Sequence, residues 1–434
     1  MLTLGLDIGT TTISAVVAEN GVVLESITKP HDSFLKGRPA WERAQDVSVL
    51  RAAALEAVAA LTEKYSVACI GITGQQHGIL YLDENGNPLS PLYTWQDGRG
   101  NLSCKGSTYA SAASRLTGYA AATGYGLVTH WYNLQNGLVP ENAAVLTTIH
   151  DYIAMVLCGL TRPVTEPSDA QSLGFFDLQA DAFDTAALAR LGIDPAVLPR
   201  VVRKTFVGKT EAGIPVAVPI GDNPASFLGA TGGEDAVLVN VGTGSQISVH
   251  SRRLVPVEGL ELRPYPLGGY LQVGAALCGG KAWALTERFF SDTLYALTGQ
   301  RMELYGALDA LLEATPDDGT HPTVETTFDG TRTDPEKRGA VTGLTSENFT
   351  PGQLALGVLH GMTDELYDMY YAYLQAGLPQ KQLLLGSGNG LRKNRHLCRI
   401  TENTFGMKLK LTQQPEEAAL GAAMYAQRIK EDEQ

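Results

Sequence analysis

LDIGTTTISAV (residues 6–16) and VNVGTGSQISV (residues 239–249) align without a gap. Each starts as an apolar run, breaks at a Gly-Thr turn and resumes as a β-rich segment, the pattern of two short strands joined by a tight hairpin. Asp7, Gly9 and Thr10 fall opposite Asn240, Gly242 and Thr243. One such turn is ordinary, because Gly and Thr favour turns for conformational reasons alone. A second copy in the same chain points to duplication.

The flanks repeat as well. After the first copy, Asn20-Gly21 is a hairpin signal leading into a third strand. Residues 46–64 have the Ala/Leu-rich spacing of a helix, and VACIGITG (67–74) reads as a buried strand ending at a glycine. After the second copy come a helical stretch, PGQLALGVLHGMTDELYDMYYAYLQ (351–375), and a strand, KQLLLGSG (381–388). Two α/β domains of similar topology are expected, with the boundary inside IGDNPASFLGATGGED (220–235). The division is drawn at 1–228 and 229–434, with the ligand cleft expected between the two domains.

The chain has 434 residues, 44% hydrophobic and 18% charged, with a formal net charge of −13. This acidity opposes nucleic-acid binding, which needs clustered Lys and Arg against phosphates. Five cysteines, never in CxxC spacing, argue against a disulfide framework or a zinc site. No run of about 18 apolar residues predicts a membrane span. A cytoplasmic protein is expected, ordered except for its IKEDEQ tail, with a homodimer as an allowed assembly.

A phosphate chain in an acidic protein needs close backbone N–H donors, which tight Gly/Thr hairpins provide. Gly9, Thr10 and Thr11 from one half and Gly242, Thr243 and Gly244 from the other are the candidates for ATP, with Asp7 holding Mg2+ through water. VGKT (207–210) ends like a Walker loop, but Arg203 stands where its first glycine is required. GSGNG (386–390) follows a strand and reads as a loop passing a nucleoside, with Gly386, Gly388 and Asn389 as contacts. Asp222, followed by Asn223 at the domain boundary, is the carboxylate chosen as general base, an N-cap or Asx-turn aspartate being the structural alternative. Gln75, Gln76, His77, Trp95, Gln96, Asp97 and Arg99 surround a hairpin with its turn at residues 84–87, the mixture of directional polar groups and an aromatic face that a polyol requires. A structural histidine and an Asp97–Arg99 ion pair are the plain alternatives there.

Together these motifs resemble the FGGY carbohydrate kinases over nearly the whole chain. LDIGTTTISAVV is similar to the family's first phosphate hairpin, ITGQQHG to its substrate strand and GDNPAS to its catalytic-aspartate loop. VNVGTGSQ is similar to its second phosphate hairpin and LLLGSGNG to its adenosine loop, while DGTRTDPEKRGAVTGLT (329–345) resembles a stretch leading into the second domain's helix. The resemblance implies two actin-like (ribonuclease H-like) domains, ATP with Mg2+, and Asp222 as base. It implies sugar contacts at Gln76, His77, Trp95 and Asp97, phosphate contacts at Thr11 and Thr243, and Gly388 near the nucleoside. YTWQDGRG and IHDYIAMVLCGLTRPVTEPSDAQSLGFFDL resemble the branch acting on a seven-carbon ketose, which implies conversion of sedoheptulose to sedoheptulose 7-phosphate. Xylulose or another pentulose or polyol is the alternative substrate within the family. An actin-like ATPase switch without a sugar is the alternative outside it. His130 stands about where the family often has a lysine, and Ser387 interrupts a glycine triplet.

Overall fold

Leu4, Leu6 and Ile8 are fully buried in one core, while Gly5, between them, lies against the backbone of a helix on the opposite side. This period-two alternation makes the first strand central to its sheet. In the computed structural model, which describes residues 1–331, 334, 336–412, 414 and 416–433, strands β1 (Leu2–Ile8), β2 (Thr12–Glu19) and β3 (Val22–Pro30) form an antiparallel meander. Asn20 and Gly21 both have positive φ, as an Asn-Gly hairpin turn demands. Helix α1 (Val47–Thr62), capped by the Asp46 side chain on the Ser48 N–H, leads to β4 (Ile70–Gly74), which is parallel to β1.

The chain then runs through α2 (Ile149–Leu157), α3 (Pro167–Leu173), β5 (Phe206–Lys209), β6 (Pro215–Ala217) and β7 (Ile220–Gly221) into α4 (Asp222–Thr231). The sheet order is β5-β6-β4-β1-β2-β3, with β7 also paired to β4. On one face α1 and α2 supply Leu50, Val58, Ile149 and Ile153 to the core. A separate aromatic-rich core, with Tyr81, Tyr109 and Trp131, stabilises the segment inserted between β4 and β5.

The second sheet has strands β8 (Ala236–Val241), β9 (Ser245–Ser251), β10 (Glu261–Pro264) and β11 (Tyr270–Ala276). Helices α5 (Gly280–Thr298) and α6 (Pro351–Gln375) precede β12 (Leu383–Ser387), α7 (Asn389–Lys393), α8 (Arg395–Phe405) and β13 (Leu409–Leu411). Its order is β10-β11-β9-β8-β12-β13. The run β13-β12-β8-β9-β11 repeats β6-β4-β1-β2-β3 of the first sheet, antiparallel and parallel pairs alike. The duplication expected from the two hairpins is therefore present as topology.

The compact units depart from a linear division at 228/229. One comprises Met1–Gly233, Pro264–Gly269 and Gln414–Gln434, the other Glu234–Arg263 and Tyr270–Gln413. The C-terminal helix (Glu417–Asp432) belongs with the first sheet because its backbone lies directly on it. A Cβ on Gly5 or Gly71 would come within 1.8 Å of the Ala419 or Ala422 carbonyl oxygen, and one on Gly421 within 1.8 Å of the Ala225 oxygen on α4. Buried Ile429 anchors the end of this helix, so the described part of the IKEDEQ tail is helical through Asp432, contrary to the expected disorder. Arg332, Thr333 and Pro335 of the DGTRTDPEKRGAVTGLT stretch lie outside the described residues. No helix among the described residues is long and apolar enough to cross a membrane.

Candidate active site

Three parallel strands of the first unit end side by side. Asp7 on β1 and Ile220 on β7 both register with Thr73 on β4, and Ile8 and Gly221 with Gly74. The chain therefore delivers Gly9, Gln75 and Asp222 from neighbouring strand ends, the position where α/β sheets present polar groups to ligands. Asp222 is the first residue of α4, where the helix N-terminus favours its negative charge. Burial pushes the Asp7 carboxyl up to about 7, and the charges of Asp222 and Glu416 add to the effect. Three carboxylates thus converge on one polar end of the sheet.

Gln76 is buried at 3% exposure and donates from Nε2 to the Ser168 carbonyl at 3.0 Å. It reaches Asp222's neighbour because residue 221 is glycine: a Cβ there would lie 2.0 Å from Gln76 Nε2. His77, at φ 71°, stacks on Tyr125 at 4.7 Å, and its Nδ1 lies 2.6 Å from the Ser172 carbonyl oxygen. Asn223 is half-buried, with Oδ1 buried and not hydrogen-bonded among the described residues. Trp95 is 46% exposed, and its Nε1 donates to Thr10 Oγ1 at 3.0 Å. Gln45 donates to the Thr10 carbonyl and accepts from Gln75, both at 2.8 Å. The polar hairpin and the Gly/Thr turn are thereby one braced structure. Thr11 is exposed at its tip.

Asp97 and Arg99 do not reach an open surface, contrary to the expectation that they contact a ligand. Asp97 is fully buried, accepting from Arg43 N, Arg99 N and Arg99 Nη1 at 3.1, 3.1 and 2.8 Å. The Arg99 guanidinium lies over the Tyr93 ring at 4.0 Å and within 3.4 Å of Glu42. The pair is held by its own neighbours and braces the loop, with Arg99 Nε buried and not hydrogen-bonded among the described residues. His130 is likewise structural: its Nδ1 meets the Tyr81 hydroxyl at 2.9 Å, and burial lowers its pKa to about 4.

In the second unit the Gly242–Gly244 turn closes by Gly242 N–H donating to the Gly244 oxygen at 2.9 Å. Its carbonyls are held by the start of α5: Gly242 O accepts from Gly280 N at 2.8 Å, and Thr243 O from Gly279 and Lys281 N at 3.0 Å each. Asn240 Nδ2 donates to Ser387 Oγ at 2.6 Å, tying the ends of β8 and β12. Gly388, at φ 87°, passes so close that a Cβ would sit 2.5 Å from the Val241 oxygen. Gly242, Thr243, Gly388 and Asn389 line a cavity of about 1380 Å3 with Lys281, Arg392 and Lys393. Backbone turns and local cations give an acidic chain a place for an anion. Gly386 does not share it; it is buried in β12 against Leu391, Leu409 and Leu411.

Residues 2–242 match the N-terminal domain of the FGGY family of carbohydrate kinases, and residues 237–428 match its C-terminal domain. The chain belongs to this family. Mouse sedoheptulokinase is 28% identical over 98% of this chain and 96% of the relative. A xylulose kinase of Streptomyces coelicolor is 29% identical over 98% of the chain and 87% of the relative. The structure of xylulose kinase from Rhodospirillum rubrum superposes with a TM-score of 0.84, covering 100% of this chain and 92% of that one at 22% identity, a likeness of fold. The two related sheets are accordingly those of an actin-like FGGY kinase, and the protein is a carbohydrate kinase, which implies ATP as donor and a sugar as acceptor.

This FGGY kinase also carries a buried ionisable cluster that no sequence motif announced. His150 Nε2 lies 2.9 Å from Asp169 Oδ2, both fully buried, with Asp151 beside them. Burial, and then Asp222, holds Asp169 well above the usual carboxylate range. Asp151 is pushed up to about 8 by burial and then by Asp169, and Glu166 to about 7 by burial. The available signal was His150 and Asp151 in the otherwise apolar helix IHDYIAMVL.

The cluster has a measurable consequence. An unfolded aspartate titrates near ~3.9, so between there and about 8 the folded chain holds the extra Asp151 proton and stability falls as pH rises. Asp7 and Glu166 contribute in the same direction up to about 7. His150, lowered by burial, acts oppositely, but its contribution is complete above its unfolded pKa of roughly 6.5. From about pH 7 to 8 the thermal midpoint should therefore decline, and Asp151→Asn should flatten that decline. An identical slope in the variant would refute the assignment.

Proposed function

We propose that this kinase phosphorylates sedoheptulose to sedoheptulose 7-phosphate, with Asp222 as the general base. The observation that carries the catalytic reading is Asp222 at the first turn of α4, one residue beyond the strand end that Gln76 packs against, with its charge acting on Asp7. Phosphoryl transfer asks little covalent chemistry of a protein: a carboxylate to take the hydroxyl proton, groups that orient the acceptor, and positive charge around the transferred group. Asp222 takes the proton of the terminal hydroxyl. Gln76, His77, Asn223 and the exposed face of Trp95 orient the polyol. Backbone N–H groups at Thr10, Thr11 and Thr243 receive the phosphates, Gly9 and Gly242 having closed their turns with their own N–H groups, and Gly388 and Asn389 border the nucleoside.

Mg2+ fits the donors present. The carboxylate oxygens of Asp7, Asp222 and Glu416 are hard ligands, and the upward shift of Asp7, caused first by burial, includes a repulsion from Asp222 and Glu416 that a divalent cation would relieve. Bound through water at Asp7, it would neutralise charge on the transferred phosphoryl group.

The seven-carbon ketose is favoured because the likeness to mouse sedoheptulokinase spans both chains nearly end to end. The xylulose kinase of Streptomyces coelicolor, at 29% identity, keeps a five-carbon ketose as the second reading. ADP release followed over sedoheptulose, xylulose, ribulose, fructose and glycerol separates them. Sedoheptulose should give the highest kcat/KM by about tenfold or more, the scale set by fitting or failing to fit a hydroxyl and a carbon. A preference for xylulose would transfer the assignment to the second reading, and brisk ADP release without sugar would refute both.

A further inference from the structure

Helix α6 carries Gly357, His360 and Gly361 on neighbouring turns. At both glycines a passing chain lies on the helix backbone: a Cβ on Gly357 would be 2.5 Å from the Pro322 oxygen, and one on Gly361 1.9 Å from the Val324 oxygen. This close passage brings His321 onto His360, and the two imidazole rings stack with centroids 4.0 Å apart. The preceding loop is fastened along its length. Gln353 Nε2 donates to the Pro316 carbonyl at 3.2 Å and Asn348 Nδ2 to the Thr320 carbonyl at 2.9 Å. Asp317 is thereby held with its Oδ1 2.9 Å from His360 Nε2.

We propose that Asp317, His321 and His360 form a binding site for a borderline divalent cation of the Zn2+ class, remote in sequence from the phosphate hairpins. One donor atom from each residue lies within 4.8 Å of the others. A tetrahedral zinc with bonds of ~2.0–2.1 Å needs its donors roughly 3.3 Å apart, which small side-chain rotations supply. His321 Nδ1 lies 3.2 Å from the Pro322 carbonyl oxygen. Donating there leaves Nε2 as the ligand atom, the outer hydrogen bond that typically orients a metal-binding histidine. Asp364 stands one turn beyond His360 on α6 and is exposed. Two imidazoles with a carboxylate select Zn2+, Co2+ or Ni2+ over Mg2+, whose preferred ligands are oxygens. Stacked imidazoles that are both protonated repel, whereas a shared cation would turn the pair into a clip between the loop and the helix.

The test uses the full chain freed of metals by chelation, then titrated calorimetrically with Zn2+ in excess Mg2+, so that the carboxylates near Asp222 are already occupied. One equivalent should bind, at least tenfold more tightly than to His321→Gln or His360→Gln, and Co2+ should give the visible absorption of a tetrahedral complex that either variant loses. Zn2+ should raise the thermal midpoint of the parent chain and leave that of the variants unmoved. All three donors are at the surface or half-buried, and Asp317→Asn serves as a further variant if a histidine replacement fails to fold. Absence of stoichiometric Zn2+ binding to the parent, or undiminished binding to the variants, would overturn the proposal.

Discussion

Asp222→Asn should lower sugar-dependent turnover by about 10^3-fold while leaving the protein folded, because the amide keeps the shape of the side chain and cannot accept the hydroxyl proton. General-base contributions span about 10^2–10^4, so a residual rate within tenfold of the parent would exclude Asp222 from that role. Stability supplies an independent readout. Burial, and then the charge of Asp222, holds the Asp7 and Asp169 carboxyls up, so removing that charge relieves part of the repulsion at neutral pH. Against this stands the loss of a favourable charge at the start of α4, about 0.3–1 kcal/mol. The thermal midpoint should therefore change little in either direction. A rate loss accompanied by a large fall in midpoint would mark damage to the fold instead of the chemistry. KM for the sugar should be nearly unchanged, since the oriented polar groups remain.

Gly71→Val is expected to have the largest effect on stability. The added Cβ would meet the Ala422 carbonyl oxygen at 1.8 Å, a backbone atom of a helix laid on a sheet, so no side chain can swing aside. Overpacking of well-filled cores costs about 1–3 kcal/mol and more where backbones must separate. A loss of about 3 kcal/mol corresponds to a midpoint lower by roughly 6–12 °C in a unit of this size. Gly306→Ala is the matched control: it lies in a helix, a Cβ there would meet nothing within 4 Å, and the variant should melt unchanged or slightly higher. A Gly71→Val protein melting within about 2 °C of the parent would contradict the close seating of the C-terminal helix on β4.

Much of the local structure around the candidate site was legible because the signals are local. Gly-Thr turns, an Asn-Gly hairpin and strand-length apolar runs are set by conformational preference within a few residues. Their repetition pointed to two related sheets, and the helix and strand after each hairpin agree with α1 and β4, and with α6 and β12. The place of Asp222 at a strand end was legible from the apolar run before it, and the structure puts it at the first turn of α4. The burial of Asp97 and Arg99 was not legible because exposure is not a local property: the same residues next to a hairpin could face solvent or, as here, be buried, with the Arg99 guanidinium among Trp41, Tyr93 and Tyr132. The burial of Gly386 was not legible for the same reason.

The sequence by itself determined the duplicated hairpins, the acidic and metal-compatible character of the first strand end, and the FGGY resemblance, since each depends on residue type and short spacing. Tertiary structure alone decided that the last helix joins the first sheet, from the opposite end of the chain, through backbone contacts that only glycines permit. It alone gathered His150, Asp151 and Asp169 beneath Gly74, and Asp317, His321 and His360 on one surface. Burial and proximity between distant segments fix those groups' charge and reach, and neither is written in any single stretch of sequence.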